Sequence, residues 1–279
     1  MYKGLSIAVI GSINLDLVAT VKRFPKPGET VTNAVLQRFG GGKGANQAIA
    51  ARRLGAEVYM IGRVGTDPNA EDALRTLKQE GVNLTYCRAL NTAPTGLAMI
   101  VVSEDGENQI VVAPGANAIF AESQLELPKA DAFIAQMEIP METIFKAATV
   151  EGSFFCLNAA PAKPVPHELL EHIDLVVVNE IEAQTLASDL SLYKGLLAIT
   201  YGRMGATLSR EGQLVATAKP PSVPTIDTTG AGDAFTAALT LALISGTPEQ
   251  AALDLASKVA ALTTTRVGAQ SSPYATELE

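Results

Sequence analysis

The chain has 279 residues, 47% hydrophobic and 18% charged, which is enough apolar material for one large α/β domain and excludes a disordered chain. With 21 Lys and Arg against 29 Asp and Glu, the formal net charge is −8, which argues against nucleic acid, whose binding needs a basic face. Two cysteines without CxxC spacing, Cys87 and Cys156, an N-terminus lacking a signal-peptide pattern and no apolar run of membrane length together predict a soluble, cytoplasmic protein with reduced thiols.

Residues 7–11, IAVIG, read as a buried strand. Short uninterrupted apolar runs recur at 58–62, 132–134, 154–157, 175–178 and 196–200, the pattern of parallel strands covered on both faces. Helical periodicity alternates with them over 43–54, 69–79, 141–148, 231–244 and 248–264, with Gly55, Gly81 and Gly246 as C-terminal stops. Strand–helix alternation with short connections predicts an α/β fold, a doubly wound sheet flanked by helices, in a single domain spanning 1–279. Two pairs of segments depart from this pattern: 13–20 with 30–39, and 95–102 with 109–113. Each pair reads as an inserted β-hairpin. Together, segments of about 13–39 and 95–113 are expected to form a small β-sheet lid over the carboxyl ends of the main strands, where such folds bind ligands. Its uncovered face and edges predict a homodimer formed through the lid sheet.

Polar residues cluster where these elements end. Asn14 and Asp16 are two apart on a strand and so share a face. An amide and a carboxylate there can divide donor and acceptor duties toward vicinal hydroxyls; a solvated strand face is the other reading. Gly40-Gly41-Gly42-Lys43-Gly44-Ala45-Asn46 opens a helix, its glycines permit close approach to a ligand, and Lys43 and Asn46 project from the first turn. The order matches neither GxxxxGK[ST] nor GxGxxG, which disfavours a nicotinamide dehydrogenase. It reads as a polyol-binding turn or as a flexible loop. Glu138 ends another strand, as a further hydroxyl ligand or as a helix cap. Asn179 and Glu182, three apart at a helix start, suit water-mediated Mg²⁺ binding beside phosphates or a capping box. Thr200-Tyr201-Gly202-Arg203-Met204-Gly205 is a glycine turn able to follow phosphates. His167 and His172 accompany no nucleophile.

The most informative segment is Asp227-Thr228-Thr229-Gly230-Ala231-Gly232-Asp233, which turns from a β-branched run into a helix. The amides of Gly230, Ala231 and Gly232 are expected to be free there and to face an anion. A carboxylate among them, Asp233, suits proton removal from an alcohol that attacks phosphorus better than simple phosphate binding.

Asn14 and Asp16, GGKGAN at 41–46, Asn179-xx-Glu182 and DTTGAGD at 227–233 together resemble the ribokinase (PfkB-type) sugar kinase family, in its order and over nearly the whole chain. The resemblance implies a ribokinase-like fold and an ATP-dependent kinase acting on the primary hydroxyl of a pentose, D-ribose foremost. The alternatives are a fructose, deoxyribose or nucleoside kinase, or a catalytically silent sugar-binding protein. Aromatic residues are 5% of the chain, and the lid strands offer just Phe24 and Phe39, which favours a free pentose over a nucleoside. The resemblance places Asn14, Asp16, Gly41, Gly42, Lys43, Asn46, Glu138 and Asp233 around the sugar, with Asp233 as general base and Gly230, Ala231 and Gly232 as the anion hole. Asn179, Glu182, Thr200, Gly202, Gly205, Gly232 and Ser257 would serve ATP and Mg²⁺, Glu182 reaching Mg²⁺ indirectly. Asp227, Thr229, Thr263, Gly268 and Ser272 would hold a monovalent cation, usually K⁺. Segment 188–194 is shorter than the family's usual stretch there, beside the nucleotide groove.

Overall fold

The computed structural model describes residues 1–278. Its strands in chain order are β1 (Ser6–Ile10), β2 (Asn14–Val21), β3 (Val35–Gly41), β4 (Glu57–Ile61), β5 (Arg63–Gly65), β6 (Arg88–Leu90), β7 (Gly96–Ser103), β8 (Asn108–Ala113), β9 (Ala132–Gln136), β10 (Phe154–Asn158), β11 (Leu175–Asn179), β12 (Leu196–Thr200), β13 (Ala206–Arg210) and β14 (Gln213–Ala218). The helices are α1 (Lys43–Arg53), α2 (Asn69–Gln79), α3 (Met141–Ala148), α4 (His167–Leu170), α5 (Glu180–Thr185), α6 (Ala187–Leu190), α7 (Ala231–Ile244) and α8 (Glu249–Thr263).

The main sheet has the order β14-β13-β12-β11-β10-β9-β1-β4. Strands β12 through β4 in that order are parallel, and β13 and β14 continue the sheet antiparallel. The apolar runs are continuous because both faces are covered. Ile7 and Val9 of β1 pack with residues of α1, α7 and α8 on one side, while Ala8 and Ile10 pack with residues of α3 and α4 on the other. Ile7, Val9 and Ile10 are wholly withdrawn from water, each contributing about 1.5–3 kcal/mol of hydrophobic stabilisation. From β1 the chain steps to β4 on one side, whereas β9 to β12 build outward on the other. The strand order therefore reverses between β1 and β9, and their carboxyl ends open a crevice of the kind in which α/β sheets bind ligands.

A second sheet, in the order β3-β2-β7-β8, grows from that end of β1. β2 pairs antiparallel with β3 and parallel with β7, in a register that sets Asn14 opposite both Gly41 and Gly96. β3 begins at Val35 rather than at residue 30. Residues 22–34 form a loop instead, held by paired hydrogen bonds between Arg23 and Glu29, and prolines at 25 and 27 disfavour strand pairing there. The β13–β14 hairpin and the short helices α4 and α6 are additions to the expected elements, and α5 follows the helix start expected at Asn179. The hairpin turns at Glu211 and Gly212, both with positive φ (49° and 73°), the backbone of a tight two-residue turn. No helix among the described residues is long and apolar enough to cross a membrane.

Candidate active site

The segments that follow β1, open α1 and open α7 converge at the crevice. Gly42, at φ 89°, leads β3 into α1 where a Cβ would lie 2.8 Å from the Ser12 carbonyl oxygen, so only glycine permits this approach. The Lys43 amide then donates to a Glu138 carboxylate oxygen at 3.2 Å, and the Ser12 hydroxyl donates to the same oxygen. Gly230 plays the corresponding part before α7, in the left-handed region at φ 78° with no room for a Cβ against the Ala269 carbonyl.

Asp233 stands in the first turn of α7 and is 7% exposed. Its two oxygens accept from different amides, Asn46 Nδ2 at 2.9 Å and Gln47 Nε2 at 2.9 Å. Burial raises the proton affinity of this carboxyl, Lys43, Asn46 and Gln47 lower it, and Glu138 raises it again; the balance stays above the ordinary carboxylate range. Asp16 is pushed up to about 7, first by burial and then by Glu138 and Asp233. Burial alone would lower the Lys43 ammonium, but Asp233, Glu138 and Glu182 outweigh it and hold the pKa above its usual value. One charged lysine thus stands among three carboxylates. Asn14 Oδ1 accepts from Asn117 Nδ2 at 2.8 Å, and Asn46 Oδ1 is buried without a partner among the described residues. An unpaired buried acceptor of this kind costs about 1–3 kcal/mol unless a ligand donates to it.

Two cavities meet here. The smaller, about 120 Å³, is lined by Lys43, Asn158, Asn179, Glu182, Gly230, Gly232 and Asp233 among others. The larger, about 540 Å³, runs between the end of β12, the start of α7 and the C-terminal half of α8, past Thr200, Gly202, Gly205, Thr228, Phe235 and Ser257. Thr200 and Gly232 belong to both. The Ser257 hydroxyl is buried and has no partner among the described residues. Asn179 and Glu182 form a reciprocal capping box at the start of α5, each accepting from the other's amide at 2.8 Å, while facing the smaller cavity.

The expected set of free amides needs one correction. The Ala231 N–H is committed to the Thr228 carbonyl at 3.3 Å, because the chain tightens into a turn before α7. The amides of Gly230, Gly232 and Asp233 have no acceptor among the described residues. They are the donors left at this helix start. Beside them, Asp227 accepts from the Thr229 amide and hydroxyl at 2.9 and 2.6 Å through one oxygen, and from the Gly268 amide at 2.8 Å through the other. It clasps the loop before α7 to the loop after α8. The Ser272 hydroxyl is buried there without a partner among the described residues. The Thr263 carbonyl accepts from Ser271, and Arg53 donates to the Gln270 and Ser272 carbonyls at 2.8 Å. Those carbonyls are therefore already satisfied, and the Asp227 carboxylate and the orphaned Ser272 hydroxyl are the hard-oxygen groups here that suit a K⁺-like ion.

The structure thus brings Asp16, Gly41, Lys43, Asn46, Glu138 and Asp233 into one acidic pocket around Lys43. It gathers Thr200, Gly202, Gly205 and Ser257 along the larger cavity, and puts Asp227, Thr229, Gly268 and Ser272 in the adjoining loops with Thr263 at the end of α8. The motif reading passes over Ser12, Gln47, Asn117, Gln136 and Asn158, which orient the pocket through hydrogen bonds. Gln136 and Asn158 were marked by being polar residues closing apolar strands, and Gln47 by its place directly after Asn46.

A parallel sheet with a crevice at its switch point, a helix start with unpaired amides and a carboxylate between two joined cavities define an enzyme that transfers phosphoryl groups to alcohols. The model of the pfkB family of carbohydrate kinases matches residues 5–276. This chain belongs to that family. It is 41% identical over 281 residues to the ribokinase of Bacillus subtilis, covering 95% of this chain and 94% of the relative. The crystal structure of ribokinase from Thermotoga maritima superposes with a TM-score of 0.89 at 29% identity, covering 98% of each chain. The structure of Arabidopsis thaliana ribokinase complexed with ribose and ATP superposes with a TM-score of 0.87 at 30% identity, covering 98% of this chain and 97% of that one.

Proposed function

We propose that this chain transfers the γ-phosphoryl group of ATP to the terminal hydroxyl of D-ribose, giving ribose 5-phosphate and ADP. The observation that carries the reading is the Asp233 carboxylate, fixed by two amides in the smaller cavity one residue from Gly232, which lines both cavities. The larger cavity takes the nucleotide and directs its phosphates past Gly232. The sugar's hydroxyls meet Asp16, Asn14, Lys43 and the Asn46 oxygen left free among the described residues, and its terminal hydroxyl reaches Asp233 in the smaller cavity, which Lys43 also lines. Asp233 removes the hydroxyl proton as that oxygen bonds to the γ-phosphorus and the bond to the ADP oxygen breaks. The unpaired amides of Gly230, Gly232 and Asp233 face the charge that develops, and Lys43 adds a fixed positive charge. When bound with the nucleotide, Mg²⁺ supplies neutralisation of phosphate charge; Asn179 and Glu182 at the mouth would hold it through water. Asp227, Thr229, Thr263, Gly268 and Ser272 would hold a monovalent cation, which supports the loop that aims the amides.

The four-stranded sheet acts as the lid over the sugar. Val35, Leu36, Met99, Ile110, Val111 and Val112 leave large apolar side chains exposed on that sheet, which supports a homodimer formed through it. Two free thiols, Cys87 and Cys156, suit a cytoplasmic enzyme.

The test is ADP release from MgATP over a panel of ribose, 2-deoxyribose, fructose and nucleosides. Ribose is expected to give the highest kcat/KM. Preference for a nucleoside, or no sugar-dependent ADP release, overturns the reading.

A further inference from the structure

Behind Asp233 runs a directed chain of side-chain amides drawn from three elements. Gln136, closing β9, donates through Nε2 to Gln47 Oε1 at 2.6 Å. Gln47, on α1, donates through Nε2 to Asn158 Oδ1 at 3.1 Å and to Asp233 at 2.9 Å. Asn158, closing β10, donates to the Val177 carbonyl at 3.1 Å. The count closes, since a primary amide has two N–H groups and Gln47 commits one to each acceptor. Its oxygen is committed to Gln136. A reversed Gln47 amide would press its oxygen against those of Asp233 and Asn158, the latter fixed in direction by its own donation to the Val177 carbonyl. Gln47 and Gln136 are wholly buried, so bulk water does not substitute for either. Gly11, just beyond β1, makes room for the chain: a Cβ there would overlap the Gln136 amide.

We propose that Gln47 is a positioning residue for the Asp233 carboxylate, held in its donating orientation by Gln136 and Asn158. The inference rests on the reading of Asp233 as the general base. With Asn46 on one oxygen and Gln47 on the other, the carboxylate plane is fixed, and each oxygen keeps lone-pair capacity for the substrate hydroxyl. Gln47 lines neither cavity and reaches the site through the two residues it donates to, Asp233 and Asn158, of which Asp233 carries the chemistry. Its donation also favours the ionised base against burial and the neighbouring Glu138.

The test compares Gln47→Met, close in shape but without the donor, with Gln136→Met, which never touches Asp233. Lys43 on α1, Asp16 on β2, Glu138 beyond β9 and Glu182 on α5 face the site in both variants, so the amide chain is the only change. For Gln47→Met, kcat should fall roughly 10- to 100-fold with ribose affinity by calorimetry within about threefold. The acid limb of its kcat/KM profile should move upward by about one pH unit. Gln136→Met should shift the limb the same way by less. Unchanged activity overturns the proposal, and so does lower activity with an unmoved acid limb, because a merely structural amide would behave that way. Should Gln47→Met fail to fold, Gln136→Met decides by the same criteria; failure of both to fold makes the amides structural and also overturns it. An Asp233→Asn enzyme with full activity would instead overturn the general-base reading itself, whatever Gln47 does.

Discussion

Asn46 and Asp233 are 187 residues apart in the chain, yet the Asn46 amide nitrogen lies 2.9 Å from an Asp233 oxygen. The contact joins the first turns of two helices, α1 and α7, and so ties a residue assigned to the sugar directly to the assigned base. Asn46 also presents a buried oxygen with no partner among the described residues. Replacing Asn46 by Ala removes a donor to the base and an acceptor for the sugar together. The expected loss in kcat/KM is roughly 10- to 100-fold, shared between KM and kcat. A change confined to stability, measured by thermal melting, would contradict the account.

Asp16 makes the unliganded protein sensitive to pH. The unfolded chain titrates this carboxyl near 3.8, whereas the folded chain titrates it at about 7. Between those values the folded state holds the extra proton, so the stability this group contributes is fully present below 3.8 and is lost as pH rises through 7. Asp16→Asn removes that dependence. Its melting temperature should match wild type near pH 4 and exceed it by several degrees near pH 8, while ribose binding weakens. Melting curves that differ by the same amount at both pH values would contradict the assignment.

The clasp made by Asp227 predicts a cation response. Exchanging K⁺ for a bulky organic cation should lower kcat by roughly tenfold or more, because the amides at Gly230 and Gly232 lose their support. Asp227→Ala, which releases the Thr229 and Gly268 amides, should raise the K⁺ concentration needed for half-maximal rate. Rates that ignore both changes would sink the cation reading.

On the four-stranded sheet, Val111 is 62% exposed and lies next to the exposed Ile110 and Val112. A charge placed there, as in Val111→Asp, should convert a dimer to monomer in sedimentation velocity without unfolding the chain. A wild-type protein that sediments as a monomer would remove the proposed dimer.

Much of this was legible in the sequence, for identifiable reasons. The core strands appear as apolar runs because parallel strands are buried on both faces, and α2, α3 and α7 occupy the residues their periodicity predicts. The glycines at 42 and 230 announced the two helix starts that build the site. The missed features depend on tertiary contact. Ala231 loses its free amide to a turn that local pattern does not reveal, and β3 starts late because the prolines at 25 and 27 hold the chain in a loop. The amides of Gln47, Gln136 and Asn158 come from three elements, and only their meeting point gives them meaning.

The central claim is that Asp233 takes the proton of the sugar's terminal hydroxyl. Its most direct test is Asp233→Asn, assayed for ribose-dependent ADP release alongside calorimetric ribose binding. Turnover is expected to fall by about 10²–10⁴ while ribose affinity changes by no more than a few fold. Turnover close to wild type with ribose bound would contradict it.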